Sequence, residues 1–467
     1  MKSKTTYFLY FLLFFYILCS EYLSAQNISG TWQGRLFLLG EEVRIVFHIK
    51  YESAEVFTAT MEIPVQRTKA LKVDELELSA DTGLYMYMPE AGAEYDGVYN
   101  KASGVYLGYY KQGGVKFPLK LIKGDGEDLL YKRPQKPVKP YPYHEEEVTI
   151  VNDKDGDTLA GTFTKPNGSG IFPSVILITG SGPEDRDETV LAHKPFLILS
   201  DYLTRKGFAV LRCDDRGTAK STGSFKSATS ADFAKDIEAQ FNYLKSRNDV
   251  DKKRIGLIGH SEGGVIAPMV AARNKDVAFI VMMAGPGIDM FDLLLIQDSL
   301  TLAAEGKSVA EISKLVNTNK KLFTLVKAAK DSATAADSID SYLSGKGESD
   351  NTILTAIRQM CSPWMRWYIG FDPRINLSKL QCSVLAINGE KDVQVPAEVD
   401  IASIDTTLKR SGNKNYKTEI LPGLNHLFQH CKKCSFSEYV NIEETIDTSA
   451  LVVIGDWMEK NFLPGKK

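Results

Sequence analysis

The sequence predicts an α/β fold: a doubly wound, mostly parallel sheet with a helical insertion, preceded by a small all-β domain. In the C-terminal two thirds, apolar strand-like runs alternate with helical segments such as Ala231 to Arg247, which is typical of a parallel sheet. The N-terminal part contains short strand-like runs without helical periodicity. Two of the later strands are separated by roughly 90 residues, far more than a crossover needs, which indicates an inserted helical element.

The chain begins with a predicted export signal. Two lysines precede an apolar run from Tyr7 to Leu18, and the small residues Ser24 and Ala25 follow. This pattern predicts a signal peptide over residues 1–25 and export to the periplasm or beyond. A lipid anchor on Cys19 is disfavoured because leucine precedes it, and no later stretch is long enough to span a bilayer. No stable membrane anchor is therefore expected.

Residues 26–125 are predicted to form an antiparallel barrel or sandwich. Short runs rich in Val, Ile, Phe and Tyr are separated by glycines and charged turns, and none of them supplies a catalytic group. The opening Gly30-Thr31-Trp32 resembles the first strand of lipocalin-like barrels, in which a tryptophan plugs one end. The alternatives are a structural or interaction domain, which we favour, and a ligand-binding one. The predicted strands are Leu36 to Leu38, Val43 to Ile49, Val56 to Met61, Leu84 to Met88, Val105 to Tyr110 and Val115 to Leu121.

A Pro-rich linker over residues 126–144 is predicted to separate this domain from a second one over residues 145–467. The second domain starts with a hairpin from Glu145 to Lys165. Its last helix, Ser449 to Phe462, has apolar residues at helical spacing and is expected to pack on the main sheet.

The segment with the strongest chemical signal starts with the apolar run Ile255 to Ile258, read as a buried parallel strand. A Gly-x-Ser-x-Gly motif follows at residues 259–263. Side chains at Gly259 or Gly263 would collide with the neighbouring strand or helix, because the chain reverses direction within a few residues. The turn presents the Ser261 hydroxyl at the carboxyl end of the strand as a nucleophile. The alternative is an ordinary strand-to-helix turn with a capping serine.

Two partners for this serine follow downstream. Asp392 lies just past the strand Ser383 to Ile387, and Glu390 is its rival for the same role. His426 follows the strand Tyr416 to Leu421. In the predicted roles Ser261 attacks, His426 transfers the proton, and Asp392 fixes the imidazole tautomer. Taken singly, the aspartate could be a solvated turn residue and the histidine a surface loop residue.

These segments together resemble the α/β-hydrolases of the serine esterase and serine aminopeptidase group, including secreted bacterial esterases with a small β-domain ahead of the hydrolase. The order Ser, Asp, His is the one this fold uses. The resemblance covers most of the chain from about residue 145 and implies the reaction class without the substrate. The matching segments are Thr179 to Asp187, Arg212 to Gly217, Gly259 to Gly263, Gly389 to Asp392 and Leu424 to His426.

The segment Gly180-Ser181-Gly182-Pro183 follows the strand Ser174 to Ile178, where hydrolases of this fold place part of the oxyanion hole. We assign the two donors to the backbone amides of Ser181 and Glu262. The alternative is a plain glycine turn after a strand.

In this group an insertion before the aspartate strand forms a lid over the nucleophile. Here it covers about residues 288–375, and its helical patterns end in an aromatic cluster. From this cluster, Trp364, Trp367 and Tyr368 are the candidates for an apolar acyl-binding wall, although such a stripe is more often core.

Composition excludes several classes. The net charge of −3 shows no basic excess, so no nucleic-acid partner is expected. Cys431 and Cys434 form a lone C-x-x-C beside His430; a short disulfide is favoured over a zinc site, because a second ligand pair is missing. No metal and no cofactor are expected.

The sequence therefore predicts a serine esterase acting on a small-molecule ester through an acyl-enzyme. One alternative is a serine peptidase that takes short peptides, in which Glu184, Asp185 or Asp187 would hold the substrate ammonium. The other is a binding protein without catalytic activity. Acyl and alcohol specificity and oligomeric state stay open.

Overall fold

The computed structural model describes residues 28–38, 41–53, 56–63, 70–79, 83–112, 115–124, 132–439 and 441–463. The chain divides into two compact units between Lys132 and Arg133. The predicted signal peptide, residues 1–25, lies outside the described residues. Among the described helices, none has the length and apolar character that crossing a membrane requires.

The first unit is a nine-stranded antiparallel sheet in the order β4-β3-β2-β1-β9-β8-β7-β6-β5. The two edge strands are consecutive in the chain with only Asp74 between them, so the sheet curls into a nearly closed barrel. Trp32 is buried and its ring contacts Tyr106 edge-on, with centroids 5.0 Å apart. The strands are β1 Gly30–Leu38, β2 Glu41–Ser53, β3 Val56–Glu62, β4 Leu71–Val73, β5 Glu75–Leu78, β6 Gly83–Met88, β7 Ala93–Asn100, β8 Val105–Gln112 and β9 Val115–Lys123.

The barrel-like prediction is confirmed; six of these strands were predicted from the sequence, whereas β4, β5 and β7 were not. In β7 the buried residues Ala93, Tyr95 and Gly97 alternate with Glu94 and Asp96. A strand whose inward positions include small residues and whose outward positions are charged carries a weak apolar signal.

The second unit is built on an eight-stranded sheet in the order β10-β11-β13-β12-β14-β15-β16-β17. The first two strands are the predicted hairpin and run antiparallel to their neighbours, while the remaining six are parallel. The strands are β10 His144–Asn152, β11 Asp157–Lys165, β12 Phe172–Ile178, β13 Ala209–Cys213, β14 Val250–His260, β15 Phe279–Met283, β16 Ser383–Gly389 and β17 Tyr416–Leu421.

Helices cover both faces of this sheet, which confirms the doubly wound α/β prediction. α2, α3 and α10 pack on one face, and α1 and α12 pack on the other. The predicted insertion is confirmed as α4 to α8, between β15 and β16. The helices are α1 Pro195–Lys206, α2 Ser230–Ser246, α3 Gly263–Arg273, α4 Met290–Ala304, α5 Val309–Ala328, α6 Ser332–Ser344, α7 Asp350–Met360, α8 Pro363–Ile369, α9 Arg374–Leu377, α10 Ala397–Arg410, α11 Phe436–Tyr439 and α12 Thr448–Phe462.

The order of the parallel strands fixes where a site can form. After β12 the chain turns to one side to form β13, and then returns to add β14 on the other side of β12. At such a switch point the loops leaving adjacent strands diverge and open a crevice at the carboxyl edge of the sheet. The loops after β12, β14, β16 and β17 all lie at this edge.

Candidate active site

Ser261 occupies a sharp turn between β14 and α3. Its φ is 51°, in the left-handed region that non-glycine residues rarely adopt. The turn is held by hydrogen bonds from Ser261 N to Met283 O (2.9 Å) and from Gly264 N to Ser261 O (2.9 Å). Strain maintained in this way at a strand end is typical of a functional position.

The glycines on either side of Ser261 are required by close contacts. A Cβ atom on Gly259 would lie 2.0 Å from the carbonyl oxygen of Gly263, and one on Gly263 would lie 2.2 Å from that of Ile178. The helix therefore starts directly against the neighbouring strand, as the motif predicts.

Asp392 and His426 meet at the carboxyl edge. His426 Nδ1 lies 2.7 Å from Asp392 Oδ2, and both side chains are buried. Asp392 Oδ1 accepts hydrogen bonds from the amides of Gln394 (2.8 Å) and Val395 (2.9 Å), so both carboxylate oxygens are fixed. The rival Glu390 is exposed and accepts the Gly423 amide at 2.8 Å.

The loop that carries His426 packs closely on the strand that carries Asp392. Asn425 Oδ1 accepts the amides of Leu427 (3.0 Å) and Gln429 (2.9 Å), which closes a tight turn around the histidine. A Cβ on Gly389 would lie 2.3 Å from the carbonyl oxygen of Leu424. Glycine at the end of β16 thus permits the approach that lets the two side chains meet.

Ser261 makes no hydrogen bond to the His426 imidazole in the described part of the chain. The ring of His260, the residue before Ser261, has its centroid 4.8 Å from that of His426. Catalytic hydrogen bonds are often long without substrate and tighten when it binds. The structure thus brings the predicted aspartate and histidine together and leaves the bond to the serine open.

The two amides predicted for the oxyanion hole are unpaired. Within the residues that the structure describes, neither Ser181 N nor Glu262 N donates a hydrogen bond. The Ser181 loop is held over the turn by Gly180, whose amide donates to Glu188 Oε1 at 3.0 Å. A Cβ on Gly180 would lie 3.4 Å from Ser261 Cβ, which shows how close this loop lies to the serine.

The Glu262 side chain links the insertion to the turn. It is 1% exposed, and its Oε1 accepts the Ser230 hydroxyl (2.5 Å) and the indole N–H of Trp364 in α8 (2.8 Å). Burial raises the pKa of Glu262 above its usual value. Of the predicted acyl-wall residues, Trp364 is half-buried here, Tyr368 is buried in the core beneath it, and Trp367 stacks on Phe371.

In the acidic loop after Ser181, the carboxylates of Asp185 and Asp187 have partners, whereas that of Glu184 has an unpaired oxygen. Asp185 accepts the Thr189 hydroxyl and amide, and Asp187 pairs with Arg212 and Lys194. Glu184 differs, because its Oε2 is buried without a hydrogen-bond partner. Burial, followed by the nearby carboxylates, raises the pKa of Glu184 well above its usual value.

A second buried histidine–carboxylate pair was missed from the sequence. His260 Nδ1 lies 2.8 Å from Glu188 Oε1, and His260 Nε2 lies 2.9 Å from the carbonyl oxygen of His426. The histidine stands inside the Gly-x-Ser-x-Gly motif, which was a usable signal. Its glutamate is 72 residues away and has no motif of its own.

Beyond His426, Cys431 and Cys434 form a disulfide. His430, Glu444 and Asp447 lie nearby with their potential ligand atoms within 4.8 Å of one another, a group that could hold a metal ion. His430 is exposed and its Nδ1 lies 3.1 Å from Glu444 Oε2, which accounts for the grouping as an ion pair at the surface.

The family model of the X-Pro dipeptidyl-peptidase (S15 family) matches residues 155–402, just over half of the chain. The chain therefore belongs to this family, and it is a serine hydrolase of the α/β type.

Among curated relatives, esterase EstD of Thermotoga maritima is 30% identical over 185 residues, which are 40% of this chain and only 42% of that protein. An uncharacterized 31.7 kDa protein of Escherichia coli, from the traX-finO intergenic region, is 23% identical over 62% of this chain and 93% of its own length.

Solved structures similar to this chain include two hydrolases. The 2,6-dihydroxy-pseudo-oxynicotine hydrolase has a TM-score of 0.42 and 18% identity, over 69% of either chain. The Pyrococcus furiosus esterase Pf2001 has a TM-score of 0.43 and 15% identity, over 71% of this chain and 97% of its own.

Proposed function

We propose that the protein hydrolyses carboxylic esters through an acyl-enzyme. Ser261 Oγ attacks the acyl carbon while His426 Nε2 takes the hydroxyl proton, which it then gives to the leaving alcohol. Asp392 keeps the proton of the neutral imidazole on Nδ1 and stabilises the imidazolium that forms. The amides of Ser181 and Glu262 donate to the developing oxyanion. Water, activated by the same histidine, then releases the acid.

One observation carries the proposal: the 2.7 Å contact between His426 and Asp392 at the sheet edge where Ser261 is held at a φ of 51°. A buried aspartate that faces one imidazole nitrogen keeps the ring proton on that nitrogen. The opposite nitrogen is then unprotonated and can take the proton of a serine nucleophile. The two unpaired amides beside the serine support the same chemistry. We also propose that residues 1–25 direct export and that the domains have the bounds predicted from the sequence.

A second candidate function, cleavage of peptides with a free amino terminus, is favoured by one unsatisfied carboxylate oxygen. Glu184 Oε2 is buried without a hydrogen-bond donor in the described chain. A substrate ammonium carries three donors and a positive charge, and it would satisfy such an oxygen. The family to which the chain belongs is named for a peptidase.

A substrate panel separates the two functions. Initial rates are measured with p-nitrophenyl acetate and butyrate, and with aminoacyl and Xaa-Pro p-nitroanilides. We expect turnover of the esters; turnover of the anilides alone would reject the esterase proposal in favour of the peptidase.

Ser261→Ala tests the nucleophile in the same assays. It should lower kcat by about 10⁴-fold or more. Ser169→Ala, an exposed serine of the same unit, is the control and should retain the wild-type rate. A Ser261→Ala rate near that of the wild type would mean that the chemistry lies elsewhere.

A further inference from the structure

His260 is a buried residue with hydrogen-bond acceptors on both of its ring nitrogens. It ends β14 directly before Ser261 and is 5% exposed. Nδ1 faces the Glu188 carboxylate at 2.8 Å, and Nε2 faces the backbone carbonyl of His426 at 2.9 Å. Neither His260 nor Glu188 has a part in the reaction proposed above.

The partners of His260 determine its protonation. A neutral imidazole has one donor nitrogen and one acceptor nitrogen, whereas a backbone carbonyl and an ionised carboxylate only accept. Glu188 Oε1 also accepts the Gly180 amide at 3.0 Å, so this oxygen acts as an acceptor towards both groups. Both nitrogens of His260 must then carry a proton, so the ring is an imidazolium.

The charges around His260 agree with this assignment. Burial lowers its pKa, but the Glu188 carboxylate, the His426 carbonyl and Asp392 together outweigh burial, so the pKa of His260 is raised above its usual value. The groups that face the ring are Glu188 from the loop after β12, and His426 with Phe428 from the loop after β17. Asp392 adds a further negative charge nearby.

We propose that Glu188 and His260 form a buried carboxylate–imidazolium pair that positions the reacting groups, an inference that rests on the esterase proposal. Glu188 ties the oxyanion-hole loop to the end of β14 through Gly180. His260 ties that strand end to the carbonyl of His426. The pair thus joins the three loops that carry the oxyanion donors, the nucleophile and the base. Both are positioning residues and neither touches the substrate.

His193 provides an internal comparison. It too is buried with both nitrogens hydrogen-bonded, but one partner is the Thr445 hydroxyl (2.9 Å), which can donate. The other is the carbonyl of Tyr439 (3.0 Å), so a neutral ring satisfies both bonds. Burial lowers the pKa of His193 to about 4. His193 should be neutral at pH 7 where His260 is charged.

Nitrogen NMR of the full-length protein tests the charge directly. The chain has six histidines, so selective ¹⁵N-histidine labelling gives a spectrum that His260→Gln and His193→Gln suffice to assign. At pH 7 we expect two protonated ring nitrogens for His260 and one unprotonated nitrogen for His193. An unprotonated ring nitrogen in His260 would overturn the proposal. The Ser261→Ala protein should give the same His260 signals, so this result does not depend on whether esters are substrates.

Kinetics test the positioning role. Glu188→Gln keeps the shape of the side chain but removes the charge, so His260 should lose a proton. Because misplacing catalytic groups by about 1 Å costs on the order of 10²-fold, kcat should fall by about that factor. KM of Glu188→Gln should stay within about threefold of the wild type. Glu188→Asp restores a carboxylate, so it should recover part of kcat and also show two protonated ring nitrogens on His260. Glu398→Gln, an exposed residue of α10, is the control. A wild-type kcat in Glu188→Gln would refute the positioning role, and the wild-type spectrum decides the charge even if that variant does not fold.

Discussion

Asp392→Asn offers the sharpest single perturbation of the candidate site. Asp392 Oδ1 accepts the amides of Gln394 and Val395, so in the variant the amide oxygen must occupy this position. The side-chain NH₂ then points at His426 Nδ1, 2.7 Å away in the wild type. Since an NH₂ group can only donate there, Nδ1 must become the acceptor and the proton moves to Nε2. A histidine in that tautomer cannot take the proton of Ser261.

The expected loss follows from this tautomer change. An aspartate-to-asparagine change of this kind in a serine protease leaves the geometry intact and lowers kcat by about 10⁴-fold. At 1.36 kcal/mol for each factor of ten, the barrier would rise by about 5 kcal/mol. The fold should be unaffected, because both backbone hydrogen bonds to Oδ1 persist.

The assay is the pH dependence of kcat for p-nitrophenyl butyrate, with thermal unfolding as the check on folding. Glu390→Gln is the matched control, because Glu390 lies two residues away and was the rival from sequence. Its amide oxygen can still accept the Gly423 amide, so its rate should stay within about threefold of the wild type. The proposed role of Asp392 is refuted if Asp392→Asn retains more than a tenth of the wild-type kcat, or if Glu390→Gln shows the larger loss of kcat.

Three further predictions follow from contacts and charges. Gly389→Ala places a methyl group 2.3 Å from the Leu424 carbonyl oxygen and should displace the His426 loop, lowering kcat on the order of 10²-fold; an unchanged kcat would contradict this. Trp364→Phe removes a 2.8 Å donor from buried Glu262 and should lower the free energy of unfolding in urea by about 1–2 kcal/mol, whereas an unaltered midpoint would show that the bond contributes nothing. Burial lowers the pKa of His193 to about 4, below the ordinary histidine value near 6.5. Between these two pH values the unfolded chain binds a proton that the folded chain does not. The stability present above about pH 6.5 is therefore lost as the pH falls towards 4. Between pH 7 and pH 4.5 the wild type should lose about 2 kcal/mol more free energy of unfolding in urea than His193→Gln loses; equal pH dependence in both proteins would count against this.

The parallel sheet was predictable because its strands are buried on both faces. Ser174 to Ile178 and Ser383 to Ile387 are nearly continuous apolar runs, which pattern analysis detects with little ambiguity. β14 was recognised only at its apolar end, since its first half, Val250 to Arg254, is mostly charged. The barrel was harder, because its strands bury one face and their signal is a weaker alternation.

Within the candidate site, residues next to strand ends were predictable and their partners across the fold were not. The preference for Asp392 over Glu390 depended on the path of the turn after β16, which brings one side chain to His426 and the other to the Gly423 amide. Arg186 stands among three carboxylates in the sequence, yet it makes a bidentate contact with Asp214, 28 residues away. Such pairings depend on which loops the topology brings together, and the spacing of residues along the sequence does not show which loops these are.

Covalent labelling tests whether the Ser261 hydroxyl is an activated nucleophile. A fluorophosphonate probe is incubated with the full-length protein, and the modified peptide is located by mass spectrometry, with Ser261→Ala and heat-unfolded protein as controls. We expect a single adduct on Ser261 that both controls lack and that Asp392→Asn acquires far more slowly. A folded protein that remains unlabelled, or an adduct on another serine, would contradict it.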